Sequence, residues 1–96
     1  MPGYILMHAD VTDPEEYERF KVAAAKAIED HGGRYLVRGG PSTALEGEFG
    51  PRVVLLEFRS YEDALVFYRS AAYQAAREIR LRCAESSILA MDGLPS

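Results

Sequence analysis

A single cysteine, Cys83, serves the whole chain, so no disulfide can close within it. Such a chain suits a reducing compartment, and the cytoplasm is the expected location. Cys83 falls in a predicted amphipathic helix, where packing as a small hydrophobe is a commoner role than reactivity. Histidine is scarce as well. His8 and His31 lie far from each other and from Cys83, with no ligand spacing, so no metal site and no cofactor is implied.

No apolar run approaches the roughly 20 residues of a membrane span. The start, Met1-Pro2-Gly3, enters a strand directly, without the basic region and apolar stretch of a signal peptide. Positive charge is also in short supply. Eleven basic residues against fifteen acidic ones leave a net charge of −4, without the broad positive field that nucleic acid or an anionic membrane requires. There is no GxxxxGK loop, no strand–GxGxxG–helix unit, and no serine in a nucleophile elbow.

What is present is a globular composition, 48% hydrophobic and 27% charged, in a length of 96 residues that suits one domain. Nine of the eleven basic residues are arginine, a side chain that forks onto carboxylates and phosphates. Solvated ion pairs are the ordinary use of such an excess, and anionic ligands the more specific one.

Tyr4 to Ala9 reads as a first strand. Asp13 is a good N-cap, Pro14 suits the first helical position, and Glu16 stands where a capping box places its reciprocal acid. Tyr17, Phe20, Ala24, Ala27 and Ile28 then recur at helical spacing until His31-Gly32-Gly33 ends the helix. Arg34–Arg38 is a second strand, with an extended piece at Thr43–Glu46, and Gly47–Pro51 is a turn. Arg52–Phe58 is a third strand. Ser60 caps a second helix, Ser70 a third running from about Ala71 to Glu85, and Ser87–Met91 is a last strand before a loose tail, Asp92–Ser96.

This order is β-α-β-β-α-β with the second helix split, the ferredoxin-like pattern of an α+β domain with an antiparallel four-stranded sheet. Right-handed crossovers put the first and third strands at the centre. Both helical layers then lie on one face, yet Val53-Val54-Leu55-Leu56, Tyr4-Ile5-Leu6-Met7 and Ile88-Leu89-Ala90-Met91 are apolar on both faces. A second copy packed through the open sheet face is the economical cover, so a homodimer is expected.

Several stretches together resemble one family. Gly3-Tyr4 opens a strand, followed by Asp10-Val11-Thr12-Asp13-Pro14-Glu15-x-Tyr17. Gly32-Gly33-Arg34-Tyr35-Leu36-Val37-Arg38-Gly39-Gly40, Leu45-Glu46-Gly47 and Val54-Leu55-Leu56-Glu57-Phe58-x-Ser60 come next. Phe67-Tyr68-x-Ser70, Tyr73-Gln74 and Arg80 close the set. The chain is similar, nearly end to end, to the domain-of-unknown-function 1330 family. Ala71 and Phe67 depart from it, standing where that family usually carries proline and tryptophan. The resemblance implies a dimeric α/β-barrel, two ferredoxin-like sheets face to face. The wider superfamily includes cofactor-free monooxygenases, haem-degrading enzymes and small-molecule isomerases, a kinship of fold rather than of chemistry.

On strand parity, His8 shares a face with Tyr4 and Leu6, Glu57 with Val53 and Leu55, and Arg38 with Arg34 and Leu36. The strand order puts Glu57 between the other two. The expectation is a polar row in which Glu57 orients His8 as a general base and Arg38 holds an anionic group. The plainer reading is polar strand ends and an ordinary Arg–Glu cross-strand pair. Tyr35, Tyr68 and Tyr73 are candidates to bind an aromatic or carbonyl ligand, or else core tyrosines with one satisfied hydroxyl. Arg77 and Arg80, three apart on a helix, are an anion site or a solvated face. His31 at a helix C-terminus is explained by the dipole. RNA-recognition domains share the topology, but their third strand interleaves glycine and aromatics, and Arg52–Phe58 does not. Two function classes remain: a metal-free enzyme working on a small anionic or aromatic molecule in a cleft between sheet and helices, and a non-catalytic dimeric ligand-binding or interaction module.

Overall fold

The computed structural model describes residues 1–95. The elements run β1 (Gly3–Val11), α1 (Pro14–Asp30), β2 (Arg34–Arg38), β3 (Arg52–Phe58), α2 (Tyr61–Arg69), α3 (Ala71–Cys83) and β4 (Ala84–Asp92). They form one antiparallel sheet in the order β2-β3-β1-β4, with β1 and β3 at the centre, the ferredoxin-like arrangement.

Local chemistry sets the element ends. The Asp13 carboxylate accepts the Glu16 N–H at 3.3 Å, opening α1. Glu16 does not complete a capping box. Its carboxylate turns to Arg82 of α3 at 2.8 Å and to Arg19 at 3.3 Å, tying the first turn of α1 to the last turn of α3. At the other end Gly32 takes the left-handed conformation (φ 72°), and the Gly33 N–H returns to the Ile28 carbonyl at 2.9 Å. Ser60 and Ser70 accept the Asp63 and Tyr73 N–H groups and cap the next two helices.

Several boundaries differ from the sequence reading. β1 runs on past Ala9 to Val11, paired there with β4. α3 stops at Cys83 and β4 begins at the next residue, because β4 extends its pairing with β1 as far as Ala84 opposite Val11. Thr43–Glu46 forms no strand and lies in an exposed loop. The tail is held further than expected: Asp92 closes β4, and the Gly93 N–H bonds to the Pro2 carbonyl at 2.7 Å. Ser96 lies outside the described residues.

All three helices cover one face of the sheet. Ile5, Met7, Val54, Leu56 and Phe58 point into them, and Phe58 meets Phe67 of α2 at 4.8 Å between ring centroids. Cys83 is fully buried, and burial raises its thiol pKa, with Glu16 and Asp13 pushing the same way. The other face carries Leu6, Val53 and Leu55, half-buried, and Leu89, which is 50% exposed. Part of it lies under the loop between β2 and β3, whose Phe49 and Leu45 are themselves exposed. No helix among the described residues is long and apolar enough to cross a membrane.

Candidate functional site

The expected polar row does not form, for two reasons of register. Tyr4 stands opposite Glu57 and His8 opposite Val53. Four residues of strand, about 13 Å, therefore separate the His8 and Glu57 positions. Glu57 instead meets Arg34, Nε to Oε1 at 2.7 Å, the ordinary cross-strand pair. The second reason is a bulge in β2. Tyr35 faces Leu56 and Val37 faces Leu55, leaving Leu36 without a partner. The extra residue turns Arg38 over to the parity of Tyr35 and Val54, toward the helices, where its guanidinium stacks on the Tyr35 ring at 4.3 Å.

His8 has a structural task in this chain. Its Nδ1 accepts the Gly50 N–H at 2.9 Å and its ring meets Phe49 edge-on at 5.4 Å. Through these contacts the ring pins the β2–β3 loop onto the open face.

A different group of residues comes together between sheet and helices. The cleft there has a free volume of about 30 Å³, room for roughly two waters. Most of its wall is apolar: Ile5, Met7, Phe20, Val54, Phe67 and Ile88. Its polar groups are Tyr17 and Lys21 of α1, Tyr35 of β2, Arg52 of β3 and Tyr73 of α3. Arg80 of α3 backs this wall, its guanidinium 5.8 Å from the Phe20 ring centroid and its charge felt by both Tyr17 and Tyr73.

Arg80 is only 3% exposed; its guanidinium donates to the Ser86 hydroxyl and lies close to the Tyr73 phenol. Among the described residues neither Arg80, Arg52 nor Arg38 meets a carboxylate; the ion pairs go to other cations. Among the described residues three buried polar atoms make no hydrogen bond of ordinary geometry: the Tyr17 hydroxyl and the Nε atoms of Arg52 and Arg80. Arg52 lies close enough to the Tyr17 hydroxyl to pull down its pKa, with the guanidinium 5.4 Å from the ring centroid, yet no hydrogen bond of ordinary geometry joins them. Buried donors and cations left open in this way are uncommon in a finished core.

Burial raises the pKa of the Tyr17, Tyr35 and Tyr73 phenols, against the opposing pull of neighbouring arginines. They therefore stay protonated at neutral pH and serve as hydrogen-bond donors. The folded state holds these protons more tightly than the unfolded one. Stability is then full below the ordinary tyrosine value of 10.0 and falls as pH rises through it. Absorbance at the phenolate wavelength, followed with circular dichroism, is expected to rise for these rings together with unfolding; phenolate formed in an intact fold would contradict their burial.

Of the tyrosine candidates, Tyr35 and Tyr73 line the cleft, whereas Tyr68 stands behind Tyr73 at 5.4 Å between rings and borders a separate hollow with Leu65 and Leu89. Arg77 and Arg80 do not act together, since Arg77 reaches Glu78 at 3.9 Å and stays partly exposed. Tyr17 and Arg52 are not site candidates on sequence grounds. A faint signal exists for Arg52 and Arg80: Arg52 has the helix-facing parity of Val54, Leu56 and Phe58, and Arg80 interrupts the buried stripe Tyr73, Ala76, Cys83. Among the described residues no three His, Cys, Asp or Glu side chains gather to hold a metal ion.

Comparison with known proteins bears on this scaffold. A family model described as "Domain of unknown function (DUF1330)" matches residues 2–94. A comparison with curated proteins finds no match. Among solved structures, a protein of unknown function from Rhodopseudomonas palustris superposes with a TM-score of 0.77 at 17% identity, over 99% of this chain and 84% of that one. SnoaB, a cofactor-independent oxygenase from Streptomyces nogalater, gives 0.65 at 9% identity, over 99% and 95%. A dimeric ferredoxin-like protein of unknown function from Thermobifida fusca gives 0.63 at 13%, over 96% and 91%. At these identities the likeness is one of fold.

Proposed function

Since the chain belongs to the domain-of-unknown-function 1330 family, which carries no assigned activity, we propose from its own geometry that it is a homodimeric, metal-free enzyme acting on a small anionic molecule in the helix-side cleft. The observation behind this reading is Arg80, a buried cation without a carboxylate, beside the unpartnered Tyr17 hydroxyl and Arg52 Nε. A fixed positive charge in an apolar pocket stabilises negative charge on a bound substrate, such as an enolate or phenolate, far better than water-exposed charge does. The protonated tyrosines supply hydrogen bonds to the same charge. Oxygenation or isomerisation through such an anion is compatible with the scaffold that SnoaB uses. The single buried thiol suits the cytoplasm, and the whole chain acts as one domain.

A non-catalytic binding module is favoured by one specific observation. His8 and Glu57, the acid–base candidates, lie on the sheet face opposite the cleft. One experiment separates the readings. Small anionic and neutral aromatic compounds are screened by saturation-transfer NMR, and each binder is then incubated with protein under air and analysed by mass spectrometry. Binding abolished by Arg52→Ala together with a new product supports the enzyme. Binding without turnover supports the module. Binding untouched by Arg52→Ala removes the cleft from both.

The dimer is proposed to form through the open face, where Leu6, Val53, Leu55 and Leu89 stand together and the Phe49 loop adds apolar surface. Leu55→Arg would bury a charge between two sheets. Its dissociation constant is expected to rise by about 100-fold or more in analytical ultracentrifugation. An unchanged dimer would place the interface elsewhere.

A further inference from the structure

We infer that the ligand of the helix-side cleft presents a planar, singly charged oxyanion, a carboxylate carried on a compact apolar body, held by Arg52 Nε and the Tyr17 hydroxyl. The inference rests on the cleft reading above and names the chemistry the cleft selects. Arg52 and Tyr17 both line the cavity, and among the described residues both carry a buried donor without a hydrogen bond of ordinary geometry, although the guanidinium is near enough to the phenol to pull down its pKa. Tyr17 is 4% exposed, so water outside the fold does not serve its hydroxyl. An acceptor bearing negative charge is the group that satisfies both donors at once. Arg80, behind Tyr17 and Phe20, supplies a buried positive charge that attracts a single anion without contact.

Three features narrow the class. A free volume of about 30 Å³ seats only a flat head of three heavy atoms, so the apolar body enters by parting the side chains of the wall. The polar donors come from side chains on α1 and β3, and the phosphate-cradling backbone of a glycine loop or helix N-terminus is not what faces the cavity. The rest of the wall is apolar, with Phe20, Phe67 and Ile28 beside Val54, which suits a hydrophobic body attached to the head. Lys21, partly exposed and paired with Glu18 at 2.8 Å, adds a second cation to the cavity lining.

The test titrates wild-type protein by calorimetry with isobutyrate and benzoate, their neutral amides, nitrate and inorganic phosphate. The carboxylates are expected to bind at least about tenfold more tightly than the amides, because a neutral amide oxygen gains less from a buried guanidinium than an anion does. Arg52→Gln and Tyr17→Phe, each checked for an unaltered circular dichroism spectrum, are expected to weaken the carboxylates and leave the amides unchanged. Amides binding as tightly as acids would overturn the carboxylate assignment while keeping the cleft. Nitrate matching the carboxylates would overturn the organic body and leave an inorganic planar oxyanion. Phosphate preferred over all would overturn the planar class. No heat from any probe would overturn this inference and the cleft reading together. The wild-type comparison of acid with amide stands even if a variant fails to fold.

Discussion

Replacing Arg80 with methionine is expected to make the unliganded protein more stable while removing its affinity for anions. The guanidinium is almost wholly buried, is hydrogen-bonded to Ser86, lies close enough to the Tyr73 phenol to pull down its pKa, and has no carboxylate partner among the described residues. Taking a charge out of water costs several kcal/mol, and here no opposite charge offsets it. Methionine fills a similar length with an adaptable apolar chain and keeps good helix propensity. The expected gain is about 1–3 kcal/mol, partly reduced by leaving the Ser86 hydroxyl without its donor. For a domain of this size each kcal/mol corresponds to roughly 4–8 °C in the unfolding midpoint. Denaturant or thermal unfolding of the two proteins at equal concentration measures it. A strongly destabilised Arg80→Met would show that the guanidinium is a structural tie, and the case for a functional charge would fall with it. Stability given up to hold an unpaired cation is a common mark of a functional site.

Phe67→Ala should have the largest destabilising effect of any single side-chain truncation in the core. Phe67 is fully buried, touches Phe58 at 4.8 Å and Tyr73 at 4.7 Å between centroids, and meets His31 edge-on at 5.9 Å. Its loss removes the transfer free energy of a whole ring and leaves a cavity, a cost of about 3–5 kcal/mol. The same ring forms part of the cleft wall, so the void opens into the ligand space. Benzoate is therefore expected to gain on isobutyrate in the variant, and saturating benzoate to recover part of the lost midpoint by mass action. Unfolding curves with and without benzoate test both points. A loss below about 1 kcal/mol would mean the surrounding rings collapse into the space.

These expectations rest on two kinds of information that enter at different levels. The order of elements is legible from the chain. Asp13-Pro14, Ser60 and Ser70 announce helix starts through capping chemistry that acts over three residues, and Gly32-Gly33 closes α1 in the same local way. Apolar parity on both faces of β1 and β3 points to a sheet with a second covering layer. Topology is then set by the handedness of crossovers, which needs no side-chain detail.

The site is not legible to the same degree, because its geometry depends on single-residue shifts and long-range packing. The bulge at Leu36 carries no glycine or proline to mark it, yet one unpaired residue moves Arg38 from one face of the sheet to the other. Parity along β1 and β3 places His8 and Glu57 on one face correctly but says nothing of their separation, which the β1–β3 register alone sets. Tyr17, Arg52 and Arg80 belong to α1, β3 and α3, and read singly each is an ordinary core or surface residue. What the sequence determined by itself is the set of elements and their order, because propensity, capping and hydrophobic period are local. What only the tertiary structure decided is which charges remain without a partner, because the packing of α1 and α3 over the sheet seals Arg80 from water, and burial makes an unpaired charge costly.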